Sequence, residues 1–418
     1  MRISFILLRL TLLLFLFCNH NGKLSVRAFT GTYGINYGRT ADNIPSPDEV
    51  VKLLRAAKIK NVRIYNADHS VIKAFRGTGL ELVVGIPNEN VKDMSANADH
   101  ALNWVKDNVK AFLPDTLIVG IAVGNEVLAG NDSEVSAALL NAVKNVHNAT
   151  KNLGISDAIQ ITTAHSQAVF ANSFPPSSCI FKEDVAQLMK PLLEFFSQIG
   201  SPFCLNAYPF LAYTYDSDKI DINYALFKSN EGIYDEKPAL HYDNLLDAQI
   251  DAAYAALEDA GFRKMEVVVT ETGWASHGGQ NEPAATVDNA RTYNYNLRKR
   301  LAKKKGTPVR PKTVLKVTKR FICNILYFDF EGNHGSRILF LGVRNLGVAF
   351  ALAFMVMKPV LILFYFYTSI LSEYHIISTV FICIYSNFPI FFSPLFHYLS
   401  SSLNWRNIQG TYFLFSLL

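Results

Sequence analysis

Two glutamates stand at the ends of otherwise uncharged apolar runs. Glu126 closes Ile121-Ala122-Val123-Gly124-Asn125, and Glu271 closes Val267-Val268-Val269-Thr270. A carboxylate at the rim of an apolar core is costly unless it is solvated or paired, so each position needs a reason. Acetal cleavage supplies one, because one carboxyl can protonate the leaving oxygen while the other attacks the anomeric carbon or activates water. Either glutamate alone could equally be half of a structural ion pair, with Arg63 as a neighbour. Two together, in the company of Asn125, Trp274, Tyr65 and Tyr208, favour chemistry on a sugar, which is held by aromatic faces and amide hydrogen bonds.

The elements that would position these groups are short β-branched runs alternating with amphipathic stretches, the pattern of parallel strands joined by helices. Seven strands are expected, at Tyr33–Tyr37, Asn61–Tyr65, Leu82–Ile86, Ile118–Val123, Ile159–Ala164, Phe203–Ala207 and Val267–Thr270. Ser46-Pro47-Asp48-Glu49 has capping-box spacing with proline in the first helical position, so a helix starts there. Later helices are expected over Glu134–Leu153, Glu183–Ile199, Asp243–Ala260 and Asn289–Lys305, each stopping at a glycine. No strand is followed by GxGxxG or GxxxxGK[ST], which argues against a nucleotide-binding doubly wound sheet. A closed (β/α)8 TIM barrel is the fold class that remains, with function at the C-terminal ends of its strands. Its eighth strand should begin just after Pro311–Lys316. The composition changes there, so the barrel is expected to be incomplete at the eighth β/α unit.

The chain of 418 residues carries a formal net charge of +5, unevenly distributed. Residues 1–28 hold four basic and no acidic residues, 29–316 hold 30 basic and 32 acidic, and 317–418 hold six and three. A near-neutral middle without a Lys/Arg stripe excludes nucleic acid as a partner. Met1–Ala28, with Arg2 and Arg9, an apolar run from Leu10 to Phe17, and Val26-Arg27-Ala28 at its end, reads as a secretory signal cleaved near Ala28. Secretion makes Asn131-Asp132-Ser133 and Asn148-Ala149-Thr150 usable as glycosylation acceptors. Cys179 and Cys204 could pair or remain free thiols. His69, His100, His147, His165, His241 and His277 lack metal-ligand spacing, so neither metal nor cofactor is called for. The 102 residues from Val317 onward hold 15 of the 30 phenylalanines. They read as retained-intron sequence, since valine codons begin with the GT that opens introns. Leu346–Leu371 and Ile376–Phe392 are long enough to be weighed as membrane spans, the first broken by Lys358-Pro359.

Five ordered motifs carry a family resemblance: Gly34-Ile35-Asn36-Tyr37-Gly38, Asn61-Val62-Arg63-Ile64-Tyr65, Ile121–Val127, Asn206-Ala207-Tyr208-Pro209-Phe210 and Val269–Trp274. From about Gly31 to Lys316 the chain resembles glycoside hydrolase family 17, the plant endo-1,3-β-glucosidases. The resemblance implies a (β/α)8 barrel that hydrolyses 1,3-β-glucans in an open groove with retention of configuration; with its leader, the chain is expected to be a secreted monomer acting in the cell wall or in defence. The resemblance also implies Glu126 as acid/base and Glu271 as nucleophile, with Asn125 on the sugar and Tyr37, Tyr65, Tyr208, Phe210 and Trp274 lining the groove. Two departures stand out. Ala275 replaces the family's usual proline, and the final strand and helix with a Phe-Asn-Glu segment are missing. An inactive glucan-binding barrel and a protein tethered to a membrane through 317–418 are the alternatives.

Overall fold

Apolar runs without a polar face need cover on both sides, and here a helix follows nearly every strand. The computed structural model describes residues 33–39, 44–320, 338–341 and 352–355. Eight parallel strands close on themselves: β1 (Tyr33–Tyr37), β2 (Asn61–Ile64), β3 (Glu81–Ile86), β4 (Ile118–Asn125), β5 (Gln160–Ser166), β6 (Phe203–Asn206), β7 (Val267–Glu271) and β8 (Val317–Arg320). The seven strands expected from sequence all form, with small shifts at their ends.

The expected gap at the eighth strand is not there. Val317–Arg320 pairs with β1 in the register Tyr33↔Val317, Gly34↔Thr318, Ile35↔Lys319 and Asn36↔Arg320, and Val317 also lies opposite Val269 of β7. Composition placed the boundary at Lys316, four residues short of this strand's end, because Val-Thr-Lys-Arg has neither length nor alternation to mark it. The two open ladders of β1 and β7 make it a strand. The rest of the hydrophobic tail, including both weighed spans, lies outside the described residues apart from Ile338–Leu341 and Leu352–Met355, which pair as a separate two-stranded sheet. Met1–Ala28 also lies outside them. Among the described residues no helix is long and apolar enough to cross a membrane.

Helix boundaries follow local chemistry. Ser46 Oγ accepts from the Glu49 amide while Glu49 Oε2 accepts from the Ser46 amide at 3.0 Å, completing the capping box of the helix Pro47–Ala56. Glu183–Ile199 ends at Gly200, whose φ of 72° is left-handed. The helix expected to reach Lys305 stops at Ala302. Arg300 causes this early stop: its guanidinium donates to the carbonyls of Lys305 (3.0 Å) and Gly306 (2.7 Å), folding the chain back toward β8.

The same loop leans on two aspartates of the helix Leu245–Asp259. Asp247 Oδ2 accepts from Arg300 Nε and Nη2, both at 3.0 Å, and Asp251 Oδ2 accepts from the Val309 amide at 2.9 Å. Asp251 is 1% exposed, and burial pushes its carboxyl up to about 6. The folded state therefore holds this proton more tightly than the unfolded chain does, and stability contributed below the unfolded value is lost as pH rises through about 6. Asp251→Asn should raise stability at pH 7 by up to about 3 kcal/mol and leave it little changed near pH 4. Urea unfolding at the two pH values checks this, and an equal effect at both would refute it.

Candidate active site

Both glutamates are aimed by irregularities in their strands. Between Ala122 and Asn125 the register of β4 against β5 shifts, and Gly124 (φ 66°) and Glu126 (φ 55°) are both left-handed. A bulge of this kind re-aims the side chains beyond it. The Glu126 amide is tied to the Ala164 carbonyl at 2.8 Å, so the turn is pinned in place. A non-glycine residue at positive φ is strained and persists only where its surroundings enforce it. At Gly124 a Cβ would also come within 2.6 Å of Val127 Cγ2. Gly124→Ala should therefore cost about 1–3 kcal/mol and lower turnover by displacing Glu126. Melting temperature and kcat measured together test this, and unchanged values for both would refute it. In β7 the register against β6 shifts between Val269 and Glu271, which leaves Thr270 as the extra residue.

Glu271 has no exposed surface. Tyr65 donates to its Oε1 and Tyr208 to its Oε2, each at 2.7 Å, and Arg63 Nη1 stands 3.3 Å from Oε1. Three donors converging on two oxygens hold the group in one orientation. Arg63, itself 2% exposed, also donates through Nη2 to Asn125 Oδ1 at 2.9 Å. Its guanidinium lies over the Tyr65 ring at 5.0 Å.

Glu126 is half-buried and stands on the other side of this arginine–asparagine pair. Its Oε1 accepts from Asn206 Nδ2 at 2.7 Å, and Asn206 Nδ2 also reaches Asn125 Oδ1 at 3.3 Å. Asn88 fixes the backbone of Asn125, accepting from its amide at 2.7 Å and donating to its carbonyl at 3.0 Å. The two glutamates expected from sequence thus share one hydrogen-bonded network. Tyr65, Asn125 and Tyr208 join it directly.

The other groove candidates lie deeper. Tyr37, Phe210 and Trp274 are 7%, 1% and 2% exposed. The Trp274 indole donates to the Ala284 carbonyl at 2.8 Å and packs against Phe210, Tyr213 and Tyr293 at centroid distances of 5.3, 6.1 and 5.7 Å. Sequence reasoning treated Arg63 as a mere charge partner and did not single out Asn206, Thr270 or Asn36. Their position at strand ends, all of them inside the quoted motifs, was the available signal.

Elsewhere the titratable groups are structural. His165 stacks on Phe203 at 5.0 Å, and burial pushes it down to about 3. Cys179 and Cys204 are free, and burial pushes both thiols up to about 12. Among the described residues no group of three His, Cys, Asp or Glu side chains could hold a metal ion. A cavity of about 540 Å³ opens at the opposite, N-terminal mouth of the barrel, with Gln160, Pro202, Glu266 and Lys316 at its rim and Arg63 and Thr270 among its walls.

A sequence profile described as "Glycosyl hydrolases family 17" matches residues 33–320, the span of the closed barrel. Glucan endo-1,3-beta-glucosidase 11 of Arabidopsis thaliana is 43% identical over 290 residues, covering 69% of this chain and 68% of that protein. Glucan endo-1,3-beta-glucosidase 14 of the same plant is 42% identical over 302 residues, covering 72% and 76%. The solved structure of a beta-1,3-glucanase and pollen allergen of Cryptomeria japonica superposes with a TM-score of 0.66 at 38% identity, covering 70% of this chain and 89% of that one. Barrel, paired glutamates and profile agree over one span of sequence, and the chain belongs to glycosyl hydrolases family 17.

Proposed function

We propose that this chain is a secreted, endo-acting, retaining glycosidase that hydrolyses 1,3-β-D-glucosidic linkages, with a role in the cell wall or in defence. The observation that carries the reading is Glu271, fully buried yet met by three donors and linked through Arg63, Asn125 and Asn206 to a second, more accessible glutamate. Glu271 attacks the anomeric carbon, and its orientation is held before substrate arrives. Glu126 protonates the departing oxygen and then takes a proton from the water that releases the glycosyl-enzyme. Retention requires the two carboxyls to lie about 5–5.5 Å apart.

Asn125 Oδ1 is occupied by Arg63 and Asn206, which leaves its amide N–H groups for a sugar hydroxyl. Tyr65 and Tyr208 offer partly accessible faces, and Tyr37, Phe210 and Trp274 back the wall behind them. The leader Met1–Ala28 carries the assignment to the secretory route. Asn131 lies in an exposed turn and suits a glycan, whereas Asn148 sits on the helix Ser133–Asn152 with its Thr150 buried and bonded to the His147 carbonyl at 2.7 Å. Each chain carries both glutamates, so one barrel suffices for the reaction. The inert-binder alternative loses its main support once β8 closes the barrel.

The purified chain should release reducing ends from a linear 1,3-β-glucan and not from a 1,4-linked glucan. Equal release from both would overturn the linkage assignment.

A further inference from the structure

Asn206 carries an amide whose orientation is over-determined. A side-chain amide offers two N–H hydrogens and one carbonyl oxygen, and at Asn206 every one is used. Nδ2 donates to Glu126 Oε1 (2.7 Å) and to Asn125 Oδ1 (3.3 Å), and Oδ1 accepts from the Thr270 hydroxyl at 2.8 Å. Asn206 is 2% exposed and Thr270 6%, so water does not compete freely for these groups.

The direction of the network is set at its far end. A guanidinium only donates, so the Asn125 atom facing Arg63 must be its oxygen. That oxygen can be met by Asn206 only through N–H, which turns the same Nδ2 toward Glu126. Thr270 locks the other face and is itself the extra residue of the β7 bulge. Asn36 Nδ2 holds the Thr270 carbonyl at 2.8 Å. Rotating the Asn206 amide would set its oxygen against both the Glu126 carboxylate and Asn125 Oδ1, three acceptors with no proton between them.

We propose that Asn206 is a positioning residue that decides which oxygen of Glu126 carries the transferable proton. With an N–H lodged on Oε1, that oxygen cannot hold a proton directed at Asn206, and the acidic hydrogen of neutral Glu126 resides on Oε2. During bond cleavage the Oε2–H bond breaks, the proton passes to the departing glycosidic oxygen, and the electron pair stays on a carboxylate whose Oε1 is already hydrogen-bonded. One arginine thereby orients both carboxyls: Glu271 directly, and Glu126 through two amides. This inference rests on the reading of Glu126 as acid/base, and the test separates the two.

The test compares the full-length chain with its variants on a linear 1,3-β-glucan and on an aryl 1,3-β-oligoglucoside with an activated leaving group. Glu126→Gln serves as the reference, and should slow the polymer about 10²–10⁴-fold while sparing kcat/KM for the activated substrate, which reports aryl release and not the later water step that also needs Glu126. Asn206→Ala should slow the polymer about 10-fold or more through kcat, again sparing kcat/KM for the activated substrate. Thr270→Val should move in the same direction, and Thr270→Ser, which keeps the hydroxyl, should restore turnover. Thr270→Val also stands in should Asn206→Ala fail to fold. If Glu126→Gln discriminates between the substrates but Asn206→Ala and Thr270→Val slow both equally or neither, Asn206 is only structural and the inference is overturned. If Glu126→Gln itself does not discriminate, the acid/base reading falls and the inference with it.

Discussion

Replacing Glu271 by Gln should lower turnover of 1,3-β-glucan by about 10⁴-fold or more without unfolding the protein. Gln has nearly the volume of Glu, and its oxygen can still accept from Tyr65 or Tyr208, so the buried site keeps most of its hydrogen bonds. What it loses is the proposed nucleophile: an amide does not displace the glycosidic oxygen to form the covalent glycosyl-enzyme. It also leaves Arg63 facing a neutral group in a buried site, at a cost of about 3–5 kcal/mol if the charge is left uncompensated. The melting temperature should therefore fall even though the fold survives. A fluorosugar that traps the glycosyl-enzyme should label the parent protein on Glu271 and fail to label this variant. Labelling at another residue, or residual turnover within tenfold of the parent, would show that the nucleophile has been misassigned.

Val317→Pro should abolish cooperative folding, as should ending the chain at Lys316. Val317 is the residue at which the barrel closes, in register with Tyr33 of β1 and with Val269 of β7. Its side chain is 2% exposed, and removing it forfeits about 1.5–3 kcal/mol of apolar burial. Proline in a central strand removes a ladder donor and leaves a buried acceptor unpaired, costing about 1–3 kcal/mol more. Together these approach the lower end of the whole stability of a domain, about 5–15 kcal/mol. Two unpaired edges would also remain to seed aggregation. Thermal unfolding followed by circular dichroism decides the matter, and a sharp transition near the parent temperature in either variant would mean that β8 is dispensable.

Much of this protein was legible before its structure, because the information is local. A β-branched run such as Val267–Thr270 declares a buried strand by itself, Ser46 and Glu49 declare a helix start within four residues, and a glutamate closing an apolar run declares an unusual cost wherever the fold places it. Those local signals determined seven strands and the barrel class and singled out the two glutamates, while the ordered motifs carried the family resemblance.

Three things waited for the tertiary structure. The strand Val317–Arg320 has no pattern of its own and exists because β1 and β7 each present an open ladder, a partner 284 residues away in the case of Tyr33 and Val317. Glu126 and Glu271 are aimed by bulges at Gly124 and Thr270, which arise from register between neighbouring strands and leave no trace in either strand alone. The network of Arg63, Asn125, Asn206 and Thr270 joins residues 62, 81 and 64 positions apart, and its direction depends on which atoms can donate and which can only accept. Composition and periodicity report on neighbours along the chain. Closure, aim and hydrogen-bond direction are set by neighbours across the barrel, which the sequence brings together only by folding.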